Sequence, residues 1–340
     1  MATNGPSRRS SAAVDDVRWF ASNAYTALIV PELRRLGLAI GVEGDRPARL
    51  ALAMSGAAAE QAWRWSRARR SRLLIYLWDL PPIGTGRGRA DTVWSIGGRW
   101  LLRIPRPWGG YGRRRGYYSR LRYIARQADA VWVPSAMTGA IEAERFGVRA
   151  ERVPYCYDST RFVPPSPGEV PTTTSPPTLL TVSRLERHKN QASVLRAAAV
   201  LDRVVQVRLI GRGPERAALE SLALALGVRC RVETGADDAA VTRAYREAAV
   251  AVCPSRFEGF GLTPIEAVAS GIPVVASDIP PHREFVGRAA SLVPPDDPAA
   301  WAEAIAEALE RPPADPALVG DLTIPAAAAR FLAFLQPVLR

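Results

Sequence analysis

The sequence predicts an α/β protein of two domains, each a parallel sheet covered by helices, and three observations carry that prediction. A chain of 340 residues exceeds the roughly 250–300 at which one hydrophobic core stops growing. Short β-rich apolar runs alternate with Ala/Leu-rich helical stretches, the pattern of strand-helix-strand units. Residues 164–178 hold six prolines among Thr, Ser and Gly without apolar periodicity, and read as a linker between two such series.

Taken in order, residues 1–13 carry Arg8, Arg9 and four Ser/Thr but no apolar stretch of the kind a secretory signal needs, and are expected to be a disordered tail. A first domain over 14–163 has strands predicted at 17–20, 73–77 and 130–133. After the linker, a second domain over 179–322 has strands at 179–182, 205–210, 249–253 and 273–276. Helices are predicted between them at 191–201, 215–226 and 264–270. Residues 323–340 are expected to form a C-terminal helix that packs back on the first domain. In parallel sheets ligands bind beyond the carboxyl ends of the strands, so those loops, and the cleft between domains, are where function is sought.

Composition narrows the classes. No apolar run is expected to approach the roughly 18 residues of a membrane-spanning helix. Three cysteines (Cys156, Cys230, Cys253) without Cys-x-x-Cys spacing and two histidines indicate neither a disulfide framework nor a zinc site. A reducing cytoplasm fits. The net charge of +12 is uneven: residues 1–165 have 27 Arg against 13 Asp/Glu, whereas residues 166–340 have 18 Lys/Arg against 20 Asp/Glu. The excess has an address. Residues 92–128 hold nine arginines and no acid, interleaved with Trp and Tyr, and residues 63–72 repeat the mixture. Arg with Trp and Tyr suits an anionic membrane surface or a phosphate-bearing acceptor, and suits an Arg-rich solvated face as well. No nucleic-acid motif accompanies it.

Of the 45 basic residues, one is lysine, Lys189. It lies five residues after Arg184 in the loop following strand 179–182, where a guanidinium and a compact ammonium can clamp two phosphates. The next strand ends in Gly211-Arg-Gly213-Pro, which admits close backbone approach to a ligand and equally fits a plain tight turn. The third loop carries Glu258-Gly-Phe260-Gly261-Leu262 into a helix with Pro264 in its first turn and Glu266 beyond. A helix N-terminus is an anion site, and Glu266 there can accept both hydroxyls of a ribose, or be an ordinary helix-surface acid. Glu258 would face whatever hangs from the phosphate.

In order, Arg184 with Lys189, the Gly-x-Gly-Pro turn, Glu258-Gly-Phe-Gly-Leu-x3-Glu266-Ala, Ser270-Gly-x-Pro-Val-Val-Ala-Ser277 and Leu292-Val-Pro-Pro295 resemble the nucleotide-sugar domain of retaining glycosyltransferases of family 4. The resemblance runs from about residue 179 to 309, and weakly into the first domain through Trp132-Val-Pro-Ser135. It implies the GT-B fold, two Rossmann-like domains facing across a cleft. It further implies that Arg184 and Lys189 hold the diphosphate of a UDP- or GDP-sugar, that Glu258 contacts the transferred sugar, and that Glu266 holds the ribose. Backbone N–H groups of Phe260, Gly261 and Leu262 would complete the phosphate site, and the base would lie along Val232 to Ala236. Transfer with retention and without a metal or other cofactor follows from the same resemblance. The first domain departs from the pattern, because the loop 21–26 has no glycine and both histidines, His188 and His282, lie in the second half. Asn23 and Tyr25 of that loop, with Asp79, are the acceptor-side candidates. The expected activity is sugar transfer at the cytoplasmic membrane face. A sugar-nucleotide epimerase and a non-catalytic binding module of the same architecture are the alternatives.

Overall fold

Two six-stranded parallel sheets, each with helices on both faces, build the computed structural model, which describes residues 15–20, 24–42, 46–77, 94–96, 99–101, 111–166 and 175–340. In chain order the first half runs β1 (Asp15–Phe20), α1 (Ala24–Arg35), β2 (Ile40–Gly41), β3 (Ala48–Ala53), α2 (Gly56–Arg69) and β4 (Arg72–Tyr76). A two-stranded hairpin of β5 (Trp94–Ile96) and β6 (Arg99–Leu101) follows, then α3 (Tyr111–Gln127), β7 (Ala130–Val133), α4 (Ala136–Phe146) and β8 (Glu151–Arg152). The second half runs β9 (Thr178–Val182), α5 (Gln191–Val200), β10 (Gln206–Ile210), α6 (Arg216–Ala225), β11 (Cys230–Glu233), α7 (Asp238–Glu247), β12 (Val250–Cys253) and α8 (Leu262–Ala269). It closes with β13 (Val274–Ser277), α9 (Pro280–Val286), β14 (Ala290–Val293), α10 (Pro298–Ala308) and α11 (Ile324–Leu339).

The strand orders are β2-β1-β3-β4-β7-β8 and β11-β10-β9-β12-β13-β14. Each sheet is therefore wound outward in both directions from a reversal, between β1 and β3 in the first and between β9 and β12 in the second. The crevice at such a reversal opens because successive helices fall on opposite faces. In the second domain α5 packs through Val194 and Leu195 with Trp301 and Ile305, whereas α8 packs through Ile265 and Val268 into a different apolar cluster.

That cluster crosses the domain boundary. Tyr76 and Tyr155 of the first domain stack edge to face at 4.9 Å, Tyr155 meets Phe260 of the second at 5.5 Å, and Phe260 meets Phe285 at 4.4 Å. A second tie is α11. Its Ala327, Phe331 and Leu335, four residues apart on one face, are buried, and the Phe331 ring lies 4.8 Å from Trp132 and 5.8 Å from Trp19. The stretch Pro316–Leu339 corrects the expectation about apolar runs, since by length and composition it could cross a bilayer. Here it is a 3₁₀ turn followed by α11, and that helix buries its apolar face on the first sheet.

Candidate active site

Both loops that carry the charged residues singled out in the sequence leave from β9 and β12, the two strands that flank the reversal of the second sheet. Buried Leu185 anchors the first loop, and Asn190, at φ 57, donates from Nδ2 to the Pro295 carbonyl at 2.8 Å. Between these anchors the 3₁₀ turn Arg187–Lys189 presents Lys189. Its Nζ donates to Glu258 Oε1 at 2.6 Å, with the two side chains only 12% and 18% exposed. The loops are also joined through the main chain, where Arg256 N donates to the His188 carbonyl at 2.8 Å.

Burial alone would push the Glu258 carboxyl upward. The Lys189 ammonium, with hydrogen bonds from Lys189 and Ser255, outweighs it and holds the pKa below the ordinary range. Glu266 behaves oppositely. Burial raises it to about 7, against the pull of Arg161 and of the Tyr245 hydroxyl, which donates to Oε2 at 3.3 Å. The site thus holds one carboxylate kept ionised and one poised near neutrality. Between them α8 begins at Gly261 (φ +90), which provides no side-chain cap, so the first N–H groups of the helix lack a capping side chain. A helix start of this kind, beside an ammonium, accommodates an anion.

The other predicted residues are dispersed. Arg184 is not gathered to Lys189: its guanidinium donates to Glu186 at 2.7 Å and its side chain is 68% exposed. Gly211 and Gly213 serve packing. A Cβ on Gly211 would stand 1.8 Å from the Ser183 carbonyl oxygen, and one on Gly213 would stand 2.2 Å from that of Leu185. These glycines let the loop after β10 support the loop that carries Arg184. Val232 and Ala236 are half-buried at the end of β11 and just beyond it, Phe260 is buried, and Leu262 is 40% exposed. Tyr25 corrects an expectation. It sits on the first turn of α1 and is 6% exposed with its ring 4.5 Å from that of Tyr155, buried in the cluster that joins the domains rather than open to an acceptor. Asn23 and Asp79 lie outside the described residues, as do the tail 1–13 and residues 167–174 of the linker.

Sequence reasoning missed His282. It is buried, with Nδ1 2.9 Å from the Ser277 carbonyl, and its ring edge lies 3.0 Å from where a Cβ on Gly261 would stand. Burial keeps its pKa below the ordinary value, so at neutral pH the ring is uncharged. Arg161 and Tyr245, which surround Glu266, were missed as well. The cysteines are unpaired, and burial pushes Cys156 up to about 12 and Cys230 up to about 11. Among the described residues no three His, Cys, Asp or Glu side chains cluster as a metal site. On the first domain, Arg67, Arg69 and Arg70 at the end of α2 and Arg120 and Arg122 of α3 are exposed, and Tyr123 packs edge to face on Trp63 at 5.9 Å.

Residues 166–319 match the glycosyl transferases group 1 family. A D-inositol 3-phosphate glycosyltransferase from Corynebacterium urealyticum is 37% identical over 142 residues, 38% of this chain and 34% of that protein. The phosphatidyl-myo-inositol mannosyltransferase of Mycobacterium leprae is 40% identical over 104 residues, 30% and 28% of the two chains. The O-antigen chain mannosyltransferase RfbU of Salmonella typhimurium is 49% identical over 61 residues, 18% and 17%. The matched segments thus span about a third or less of these relatives' length. Among solved structures, Anabaena Alr3699/HepE in complex with UDP and glucose superposes with a TM-score of 0.68 at 14% identity, covering 95% of this chain and 100% of that one. A sucrose-phosphate synthase from Thermosynechococcus elongatus gives 0.60 at 21% identity, covering 86% and 71%. These likenesses extend the GT-B fold over both domains.

Proposed function

We propose that the protein is a glycosyltransferase, from the premise that residues 166–319, most of the second domain, match the glycosyl transferases group 1. It moves a sugar from a nucleoside diphosphate to an acceptor held by the first domain, with retention and without a metal. The observation that carries this reading is the pair Lys189–Glu258 at the switch point, beside the uncapped start of α8.

In this reading the diphosphate settles on the α8 N-terminus and draws the Lys189 ammonium toward itself. Charge that develops on the leaving phosphate is met by that ammonium and by the helix N–H groups, which are already in place. Glu258, ionised and released from its partner, accepts hydrogen bonds from hydroxyls of the transferred sugar. Glu266 accepts the ribose hydroxyls once it has lost its own proton. The acceptor attacks from the face that the phosphate leaves, and the departing phosphate takes the acceptor's proton, because a double displacement would call for two carboxyl groups about 5 Å apart across the sugar. Arg184 joins the diphosphate by turning away from Glu186, which its exposure permits.

The exposed arginines of α2 and α3 support an anionic acceptor or the cytoplasmic face of an anionic membrane as the first domain's partner. UDP is the first nucleotide to try, since Alr3699/HepE was solved with UDP and with UDP-glucose. Purified protein is expected to bind UDP or GDP and to release it from the matching nucleotide sugar, and Lys189→Ala is expected to lower that release by about 10²–10³-fold. Binding without turnover would make the protein a binding module; conversion of the donor's sugar without release of nucleotide would make it an epimerase.

A further inference from the structure

The residue after Glu258 is held by the other domain. The carbonyl oxygen of Gly259 accepts hydrogen bonds from Ser135 Oγ at 2.7 Å and from Thr138 Oγ1 at 3.1 Å, across 124 and 121 residues of sequence. The two hydroxyl oxygens also lie 2.9 Å from each other, so they form a closed triangle with the Gly259 carbonyl, in which two hydroxyl protons serve three short contacts. The donors are themselves fixed: both residues are fully buried, and Ser135 is the N-cap of α4, its Oγ accepting from Thr138 N at 3.2 Å. A second contact secures the same helix start. Glu284 of α9 accepts from Ala136 N at 3.0 Å and pairs with Arg152, which places a second-domain carboxylate at the positive end of a first-domain helix.

Gly259 has no side chain of its own to anchor the loop, and its carbonyl is held from the other domain by these two hydroxyls. We infer that Ser135 and Thr138 are positioning residues of the donor site: by holding the Gly259 carbonyl they hold Glu258 in register with Lys189, so that the ion pair is set by contact with the first domain. The functional meaning rests on the reading that Glu258 contacts the transferred sugar. The consequence is that separating the domains at α4 frees the backbone that carries Glu258, which confines a fully formed donor site to the state in which the acceptor-bearing domain is docked.

The single lysine makes the test site-specific. Brief reductive methylation with ¹³C-formaldehyde labels Lys189 and the N-terminal amine, and NMR reads the two separately; an amine that is 12% exposed and held 2.6 Å from Glu258 reacts slowly because its nitrogen is shielded from the reagent. Glu258→Gln gives the rate of a released lysine. The full-length double variant Ser135→Ala with Thr138→Val is expected to raise the Lys189 rate about five-fold or more, the shift that loss of one ordinary hydrogen bond allows. Ser135→Thr with Thr138→Ser, which keeps both hydroxyls, should stay near the original rate. Should the double variant fail to fold, Thr138→Val alone removes one of the two bonds and is expected to give a smaller rise. Original rates in folded hydroxyl-less variants would overturn the inference. The labelling needs neither nucleotide nor acceptor, so that failure leaves the transferase reading standing. Loss of all nucleotide-sugar turnover in the unmodified protein would overturn that reading, and with it the contact between Glu258 and a transferred sugar, while the labelling still reported the linkage.

Discussion

The second domain concentrates its chemistry on two adjoining loops, whereas the first spreads positive charge over two helices and lends buried hydroxyls to its neighbour. The charge balance follows the same division, +14 for residues 1–165 and −2 for residues 166–340. A small charged ligand demands particular residues at particular strand ends: an ammonium, an acid held ionised, a helix start without a cap. A partner that is an extended anionic surface or a phosphate-bearing chain asks only for charge density with apolar support, which many sequences satisfy. The difference teaches why one sheet carries recognisable motifs and the other, of similar size and winding, does not.

The strongest way to break this comparison is at Lys189. Lys189→Ala is expected to lower transfer by about 10²–10³-fold, the scale of losing one preorganised charge at a leaving phosphate. Lys189→Arg keeps the charge but substitutes a planar fork for a point charge, and is expected to lose about ten-fold or more. Steady-state release of nucleotide measures both. A variant with near-full activity would reduce the lysine to a structural partner of Glu258.

Next in size is a contrast between two glycines. Gly211 in the second domain and Gly37 in the first both have positive φ, but a Cβ at Gly211 would meet the Ser183 carbonyl oxygen at 1.8 Å, and at Gly37 nothing lies within 4 Å. Gly211→Ala is expected to destabilise by about 3 kcal/mol, through displacement of the loop after β9. Gly37→Ala should cost about 1 kcal/mol, the backbone penalty alone. Thermal unfolding of the two variants measures the difference, and equal losses would show that the close approach is relieved at little cost.

The same contrast explains what could be read from the sequence. Strands β9, β12 and β13 are apolar runs interrupted only by Thr and Ser because they are covered on both faces, and they stand out. Strand β3, Ala-Arg-Leu-Ala-Leu-Ala, lies between β1 and β4 but is not among the predicted strands, because its alanines, which pack with those of α2, carry no β-branched signal. Lys189 and Glu258 were legible because each follows a recognisable strand. Their mutual contact was not, and neither were Tyr245 beside Glu266, His282 behind Gly261 or Ser135 on Gly259, because only the fold brings those partners together. For Arg184 the five residues of spacing say nothing of its pairing with Glu186, which again only the fold shows.

Within the second domain the two acids divide again by pH. Glu266, raised to about 7, holds a proton in the folded state that the unfolded chain has released above about 4.5. The folded state therefore binds more protons in that window, and its stability falls as pH rises from about 4.5 to 7. Glu258 has the opposite sign, because its stabilisation is present above the ordinary carboxylate range and is lost as pH falls through its lowered pKa. Ribose hydroxyls need the ionised form of Glu266, so UDP affinity is expected to strengthen about ten-fold between pH 6 and pH 8. Glu266→Gln should flatten both the affinity profile and the decline in stability. A UDP profile that stays flat in the unmodified protein would remove Glu266 from the ribose.

The first domain is tested by the smallest steps. Arg67, Arg70, Arg120 and Arg122 are exposed on α2, α3 and the turn between α2 and β4, with no acid among residues 92–128 to offset them. If this face meets an anionic surface, each arginine contributes about 1 kcal/mol, so a single Arg122→Gln should weaken binding to phosphatidylserine vesicles about five-fold. Binding should weaken further with salt, because the interaction is screened within about 10 Å at 0.1 M ionic strength. UDP affinity should not move, because the donor site is built from the other domain. Flotation that does not distinguish anionic from neutral vesicles would remove the surface hypothesis and leave a soluble, phosphate-bearing acceptor as the partner of these arginines. Loss of UDP affinity in Arg122→Gln would instead break the division between the two domains, by showing that charge on the first reaches the donor bound to the second.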